Sequence, residues 1–158
     1  MLLLKNLLFA LIVPGTVAVY APLLIARRLA LASCAGSALV FAGTVIAAGA
    51  GVYAWCVWDF AVFGRGTPAP IDAPGRLVVR GLYRYARNPM YAGVIAVIAG
   101  WAILFQSAAL ASYGLFVALG FHGFVVFYEE PHLRRKFGRQ YEEYIASVGR
   151  WLPRWPRR

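Results

Sequence analysis

Two adjacent carboxylates, Glu129 and Glu130, close a long apolar run and open the most basic stretch of the chain. The whole sequence has 6 acidic residues against 16 Lys and Arg. Paired acids at the edge of an apolar segment are unfavourable without a partner, and a charge deeper in hydrocarbon costs ~2.5–3.5 kcal/mol or more. Either the pair snorkels into water, or it meets a cation such as an ammonium or sulfonium, or the hydroxyls of a ribose. A second group is Arg87-Asn88-Pro89-Met90-Tyr91, followed by Gly93. Asn is a good helix N-cap and Pro suits the first helical position, so a helix starts here. Its open N–H groups attract an anion such as a cofactor carboxylate. His122 lies in an apolar run and reads first as a hydrogen-bonded packing residue; neither it nor His132 has a second ligand at metal spacing. If a base is needed, Glu130 and His122 are the candidates for the catalytic role. Gly49-Ala50-Gly51 reads as close helix packing, with ligand contact as the alternative. Cys34 and Cys56 read as small apolar residues, not as a disulfide or zinc set. No P-loop, nucleophile elbow or dinucleotide-binding glycine motif is present.

The elements that must position these groups are helices in a membrane. Hydrophobic residues make up 61% of the 158, against ~45–50% in a typical soluble domain, and mean hydropathy is +0.66. The net charge of +10 is nearly all arginine flanking apolar runs, which points to anionic lipid headgroups at ~1 kcal/mol per basic group and away from nucleic acid. The expected fold class is all-α and polytopic, with four spans at 7–26, 39–60, 91–105 and 109–128, against the ~20 residues a bilayer requires. Pro14 and Pro22 should kink the first, which is read as a retained helix and not a signal peptide. The third is short, so it starts before Tyr91 or packs against protein. Gln106 and Ser107 are the only polar break between the last two, which predicts a tight helical hairpin. After it, Leu133, Phe137, Tyr141, Tyr144 and Ile145 recur at helical spacing with Gly138 interrupting, an amphipathic helix that lies on the membrane or caps a pocket. The arginine distribution puts both termini and the 64–90 loop in the cytoplasm. Arginine over lysine and short loops point to a bacterial inner membrane.

Gly75 to Gly93, a pair of apolar helices, and then Tyr128 to Pro153 occur together in a recognisable order. The chain resembles the isoprenylcysteine carboxyl methyltransferase and phospholipid methyltransferase family. Both hallmarks are complete: Arg87, Asn88, Pro89, Tyr91 and Gly93 in the first, and Glu129, Glu130, Leu133, Phe137, Gly138, Tyr141 and Tyr144 in the second. The resemblance covers about half the chain. It implies one integral membrane domain over 1–158, with 1–63 as N-terminal helices and 64–158 as the cofactor-binding half. It implies S-adenosylmethionine as methyl donor, held by Gly75, Arg76, Leu77, Val78 and Tyr83 in the loop, by Asn88, Pro89, Met90 and Tyr91 at the helix start, and by Glu129. Gly49 and Gly51 resemble a membrane-embedded Gly-x-Gly that contacts the donor in phospholipid N-methyltransferases. The expected partners are membrane lipids and a small or lipid-like acceptor, with no nucleic acid and no metal.

The chain departs from the family pattern twice. Asn88 stands where the family usually has His; both cap a helix and donate a hydrogen bond. Val125 stands where the prenylcysteine enzymes have an arginine that serves the lipid substrate, so a prenylcysteine carboxylate lacks its partner. The implied reaction is in-line methyl transfer to a carboxylate oxygen or an amine, with reacting atoms held about 3–3.5 Å apart. The alternatives are an NADPH-dependent membrane reductase of the sterol-reductase type, whose phosphates the arginines would serve and the two glutamates oppose, and a non-enzymatic membrane scaffold, which leaves the paired motifs unexplained.

Overall fold

The structure is a computed structural model that describes residues 12–64 and 77–152. The start of the expected first span, and Gly75 and Arg76, lie outside the described residues. Helix is the only regular element among those described. The first helical stretch runs from residue 12 through a π-helical turn, Thr16–Tyr20, into α1, Ala21–Arg28. Next come α2, Ser37–Asp59, prolonged by π-helical Phe60–Gly64, and a short 3-10 turn, Gly81–Arg84. Helix α3 is Pro89–Leu104, and α4 is Ala108–Phe124. A π-helical turn, Val125–Glu129, joins α4 to α5, Glu130–Phe137, and α6 spans Arg139–Ser147.

Two of these helical runs are long and apolar enough to cross a bilayer. Ser37–Phe63 has 27 residues and Ala108–Phe137 has 30, or ~40 and ~45 Å at 1.5 Å per residue, against a hydrocarbon core of ~30 Å. Both leave large apolar side chains outward, among them Trp58, Phe116 and Phe127, a surface that lipid and not water covers. Helix α3 has 16 residues, only ~24 Å. As its length predicts, it packs against protein: Gly93, Val94, Val97, Ile98 and Gly100 are buried.

Small residues set that packing. A Cβ on Gly93 would lie 2.8 Å from the Gly49 carbonyl oxygen, and one on Gly49 would lie 2.7 Å from the Gly93 carbonyl oxygen. The α2 and α3 backbones therefore touch, which explains Gly49 as a packing residue; Gly51 faces open space. Helix α4 follows α3 after three residues, with Gln106 at a positive φ of 46° and the Ser107 hydroxyl accepting from Leu110 N–H at 3.4 Å. Of the two expected prolines, Pro22 acts through the π turn. Pro22 has no N–H to offer the Ala18 carbonyl, and Ala21 N–H bonds back to Thr16. The carbonyls so released are taken by side chains: Trp101 donates to Ala18 O at 2.9 Å and Tyr113 to Val17 O at 2.8 Å. The first helix is thereby fastened to α3 and α4.

The expected tail helix is divided in two. Its first part is the end of the long α4–α5 rod, and Gly138, at φ 50°, turns the chain into α6. Tyr141, Tyr144 and Val148 then form a small core with Leu77, Leu133, Phe137 and Ile145.

Replacing Gly93 with Ala should lower the unfolding free energy by about 1–3 kcal/mol, the usual cost of overpacking where backbone cannot yield. Gly51→Ala, into open space, should leave thermal unfolding in the same detergent unchanged. Equal melts for the two variants would contradict the close α2–α3 contact.

Candidate functional site

The site is assembled by the segment after α6, which crosses back over the start of α3. Arg87 N–H donates to Gly149 O at 2.9 Å, and the Asn88 side-chain amide donates to Arg150 O at 3.2 Å. Beneath them lies Glu130, buried with a relative exposure of 7%. Arg150 holds it with two bonds, Nε to Oε1 at 2.7 Å and Nη2 to Oε2 at 2.9 Å. Arg87 Nη1 adds an ion pair at 3.0 Å, close to Oε1 but outside hydrogen-bond alignment, so both Nη1 and Nε of this buried guanidinium lack an aligned acceptor. The Tyr144 hydroxyl donates to Tyr83 O at 2.7 Å and fixes the 3-10 turn on α6. Burial pushes the phenols of both tyrosines well above their ordinary range, so they remain protonated.

Glu129 points elsewhere. Its Oε2 accepts from the Tyr91 hydroxyl at 3.0 Å, and no arginine pairs with it among the described residues. Met90 and Tyr91, from the first turn of α3, also line a cavity of about 530 Å³ between the first helix, α2, α3 and α4. Val17, Tyr113, Phe116 and Phe121 are among its walls. On the other side of Met90, Cys56, Val78 and Tyr83 form a second buried cluster with Leu82, which seats the loop on the end of α2.

These features coincide with a family pattern. The model for the phospholipid methyltransferase family matches residues 29–140. The chain belongs to the phospholipid methyltransferase family. Among curated relatives, a probable protein-S-isoprenylcysteine O-methyltransferase from Oryza sativa subsp. indica is 33% identical over 78 residues, which is 49% of this chain and 41% of that protein. Protein-S-isoprenylcysteine O-methyltransferase B from Arabidopsis thaliana is 32% identical over 78 residues, 49% of this chain and 40% of that protein. The chain thus spans about two fifths of the length of the curated relatives it matches. The family match reaches back to residue 29, further than the motifs from Gly75 onward, and takes in α2 with its glycine contact.

Within this family framework the structure brings together Asn88, Pro89, Met90, Tyr91 and Glu129, and places Val78 and Tyr83 against α2 beside Met90. Leu77 goes instead into the α6 core. Asn88 is at the N-cap position, but its side chain does not cap α3; the neighbouring Arg150 carbonyl takes its amide. His122 is exposed and accepts at Nδ1 from Trp151 Nε1 at 3.1 Å. The base role considered for Glu130 or His122 would first require these bonds to open. Sequence reasoning missed three groups. Arg87 belongs to the first motif, but its pairing with Glu130, and that of Arg150, is set by tertiary contact and has no local signal. Asp59 is the third, a buried carboxylate whose Oδ2 has no partner and whose Oδ1 meets Arg80 at 3.8 Å; its signal was a lone acid at the end of an apolar run.

Arg150→Ala should release the closing segment. Hydrogen bonds to charged groups are typically worth ~1.5–3 kcal/mol, and with Arg150 one-third exposed the loss should fall near the lower end. Thermal melts should drop and limited proteolysis should cut after Ser147. Arg134→Ala, which removes an exposed pair with Glu142 at 3.6 Å, should do neither.

Proposed function

We propose that this chain transfers a methyl group from S-adenosylmethionine to a small or lipid-like acceptor held in the membrane. The observation that carries the reading is Glu129, a carboxylate without a paired cation, bonded to Tyr91 at the junction of the α3 start and the apolar cavity. The residues fit a zwitterionic sulfonium. Glu129 offers a carboxylate for a cationic or hydroxyl group, while the start of α3 and the orphaned Arg87 Nε offer donors for a carboxylate. When bound, the donor would supply an electrophilic methyl carbon. The contacts proposed are Leu77, Val78, Tyr83, Asn88, Pro89, Met90, Tyr91 and Glu129, with Gly75 and Arg76 from the loop outside the described residues.

The chain's own part is to position and to dry. Glu130, with both oxygens engaged by Arg150, fixes the closing segment over the α3 start. The aromatic wall of the cavity excludes water, and the acceptor enters sideways from the bilayer between the first helix and α4. We place four helices across the membrane, with both termini and the 64–90 loop on the cytoplasmic face, since the large arginine clusters share that side. Cysteine labelling at Thr67 and Ser147 should occur from the cytoplasmic side, and labelling of both from the opposite side would contradict this.

Glu129→Gln keeps the shape and removes the charge. It should weaken S-adenosylmethionine binding by roughly tenfold to a hundredfold, since a charged hydrogen bond is worth ~1.5–3 kcal/mol. Glu142→Gln, on an exposed pair, should do little. Isothermal titration in one detergent checks both, beside thermal melts; unchanged affinity in Glu129→Gln would leave the glutamate as a packing partner of Tyr91 with no part in donor binding.

A further inference from the structure

The cavity beside Tyr91 is unusual in what it lacks. Among the described residues no Lys, Arg or His lines it, and its residues with polar side-chain groups are Tyr53, Tyr91 and Tyr113. Tyr113 gives its proton to Val17 O and Tyr91 gives its own to Glu129. The nearest charge is thus a carboxylate. An anion placed there meets no cationic side chain among the described residues and faces Glu129, so the protein itself offers nothing to offset its desolvation. The walls suit flat apolar groups: Tyr91 and Phe121 lie with ring centroids 4.7 Å apart, and Phe116 and Phe124 add further faces. A dry apolar cavity of ~150 Å³ already holds benzene, and this one is about 530 Å³. Gly120 leaves part of the wall bare, with no atom within 4 Å of where a Cβ would stand. Val13 and Phe116 are exposed on the two helices that flank the cavity, so its mouth faces lipid.

We propose that the acceptor is an uncharged, ring-bearing apolar molecule that attacks through a phenol or thiol, and not a carboxylate or a phospholipid. This rests on the methyltransferase reading above and narrows its acceptor. The step balances within the site. A lone pair on the acceptor oxygen or sulfur forms the bond to the methyl carbon, and the carbon–sulfonium bond breaks with its electron pair left on sulfur as a neutral thioether. The acceptor proton passes to the Tyr91 hydroxyl as that hydroxyl's own proton passes to Glu129, so one cation and one carboxylate become neutral together. Phenols and thiols, with ordinary pKa values of ~10 and ~8.5, are acids strong enough for such a relay; an aliphatic alcohol is not.

The test compares 4-hexylphenol and 4-hexylthiophenol with N-acetyl-farnesylcysteine and phosphatidylethanolamine. Binding to purified protein without donor, donor affinity by titration, and transfer of labelled methyl are read separately. Wild type should bind and methylate the phenol or the thiol at least tenfold better than either charged acceptor. Gly120→Phe, with Gly120→Leu as a milder variant if folding suffers, should weaken binding of the neutral acceptor at least tenfold and leave S-adenosylmethionine affinity unchanged. Preferred binding of farnesylcysteine or phosphatidylethanolamine would overturn the proposal, as would neutral-acceptor binding that Gly120→Phe does not alter. Loss of the methyltransferase reading shows differently: no S-adenosylmethionine affinity in wild type, whatever the cavity binds.

Discussion

Everything at the polar end of this protein depends on one buried carboxylate, Glu130, held by two arginines that are 63 positions apart in the chain. A carboxylate at 7% exposure is expensive to bury without a partner. Arg87 comes from the residue before the α3 cap and Arg150 from the segment after α6. Their meeting on Glu130 therefore ties the loop, the end of the long α4–α5 rod and the chain's closing segment into one unit. Asn88 and the 86–87 backbone add hydrogen bonds across the same seam. With Glu130 so committed, the adjacent Glu129 is left facing Tyr91 and the cavity. Two neighbouring acids thus have separate tasks, one structural and one proposed to meet ligand.

The apolar end obeys a different constraint. Helix α3 is too short to face lipid along ~30 Å, and it is buried between partners through backbone contact at Gly49, Gly93 and Gly100. Where Pro22 frees carbonyls in the first helix, Trp101 and Tyr113 occupy them, as groups in hydrocarbon require. The cavity lies between the same helices, with Val17 and Tyr113 among its walls. Packing demand and binding space come from the same few residues.

Much of this was legible in the sequence because it is local. The helix starting at Pro89, the turn at Gln106-Ser107, the break at Gly138 and the apolar face of Tyr141, Tyr144 and Ile145 follow from capping, turn chemistry and periodicity. What escaped was set by contacts across long separations. Nothing near Arg150 marks it as the partner of Glu130, and nothing near Asn88 shows that its amide will prefer a distant carbonyl over its own helix. The division of the long fourth helix into α4, a π-helical turn and α5 also has no local signature, since both sides read as one apolar-to-basic run.

The most direct measurement of the central claim is hydrogen exchange by mass spectrometry on the purified protein, with S-adenosylmethionine or NADPH added in turn. The account predicts that S-adenosylmethionine slows exchange in peptides covering 82–92 and 148–152, where the loop, the α3 start and the closing segment meet, and that NADPH does not. Protection by NADPH alone, or S-adenosylmethionine binding that leaves both peptides unchanged, would contradict it.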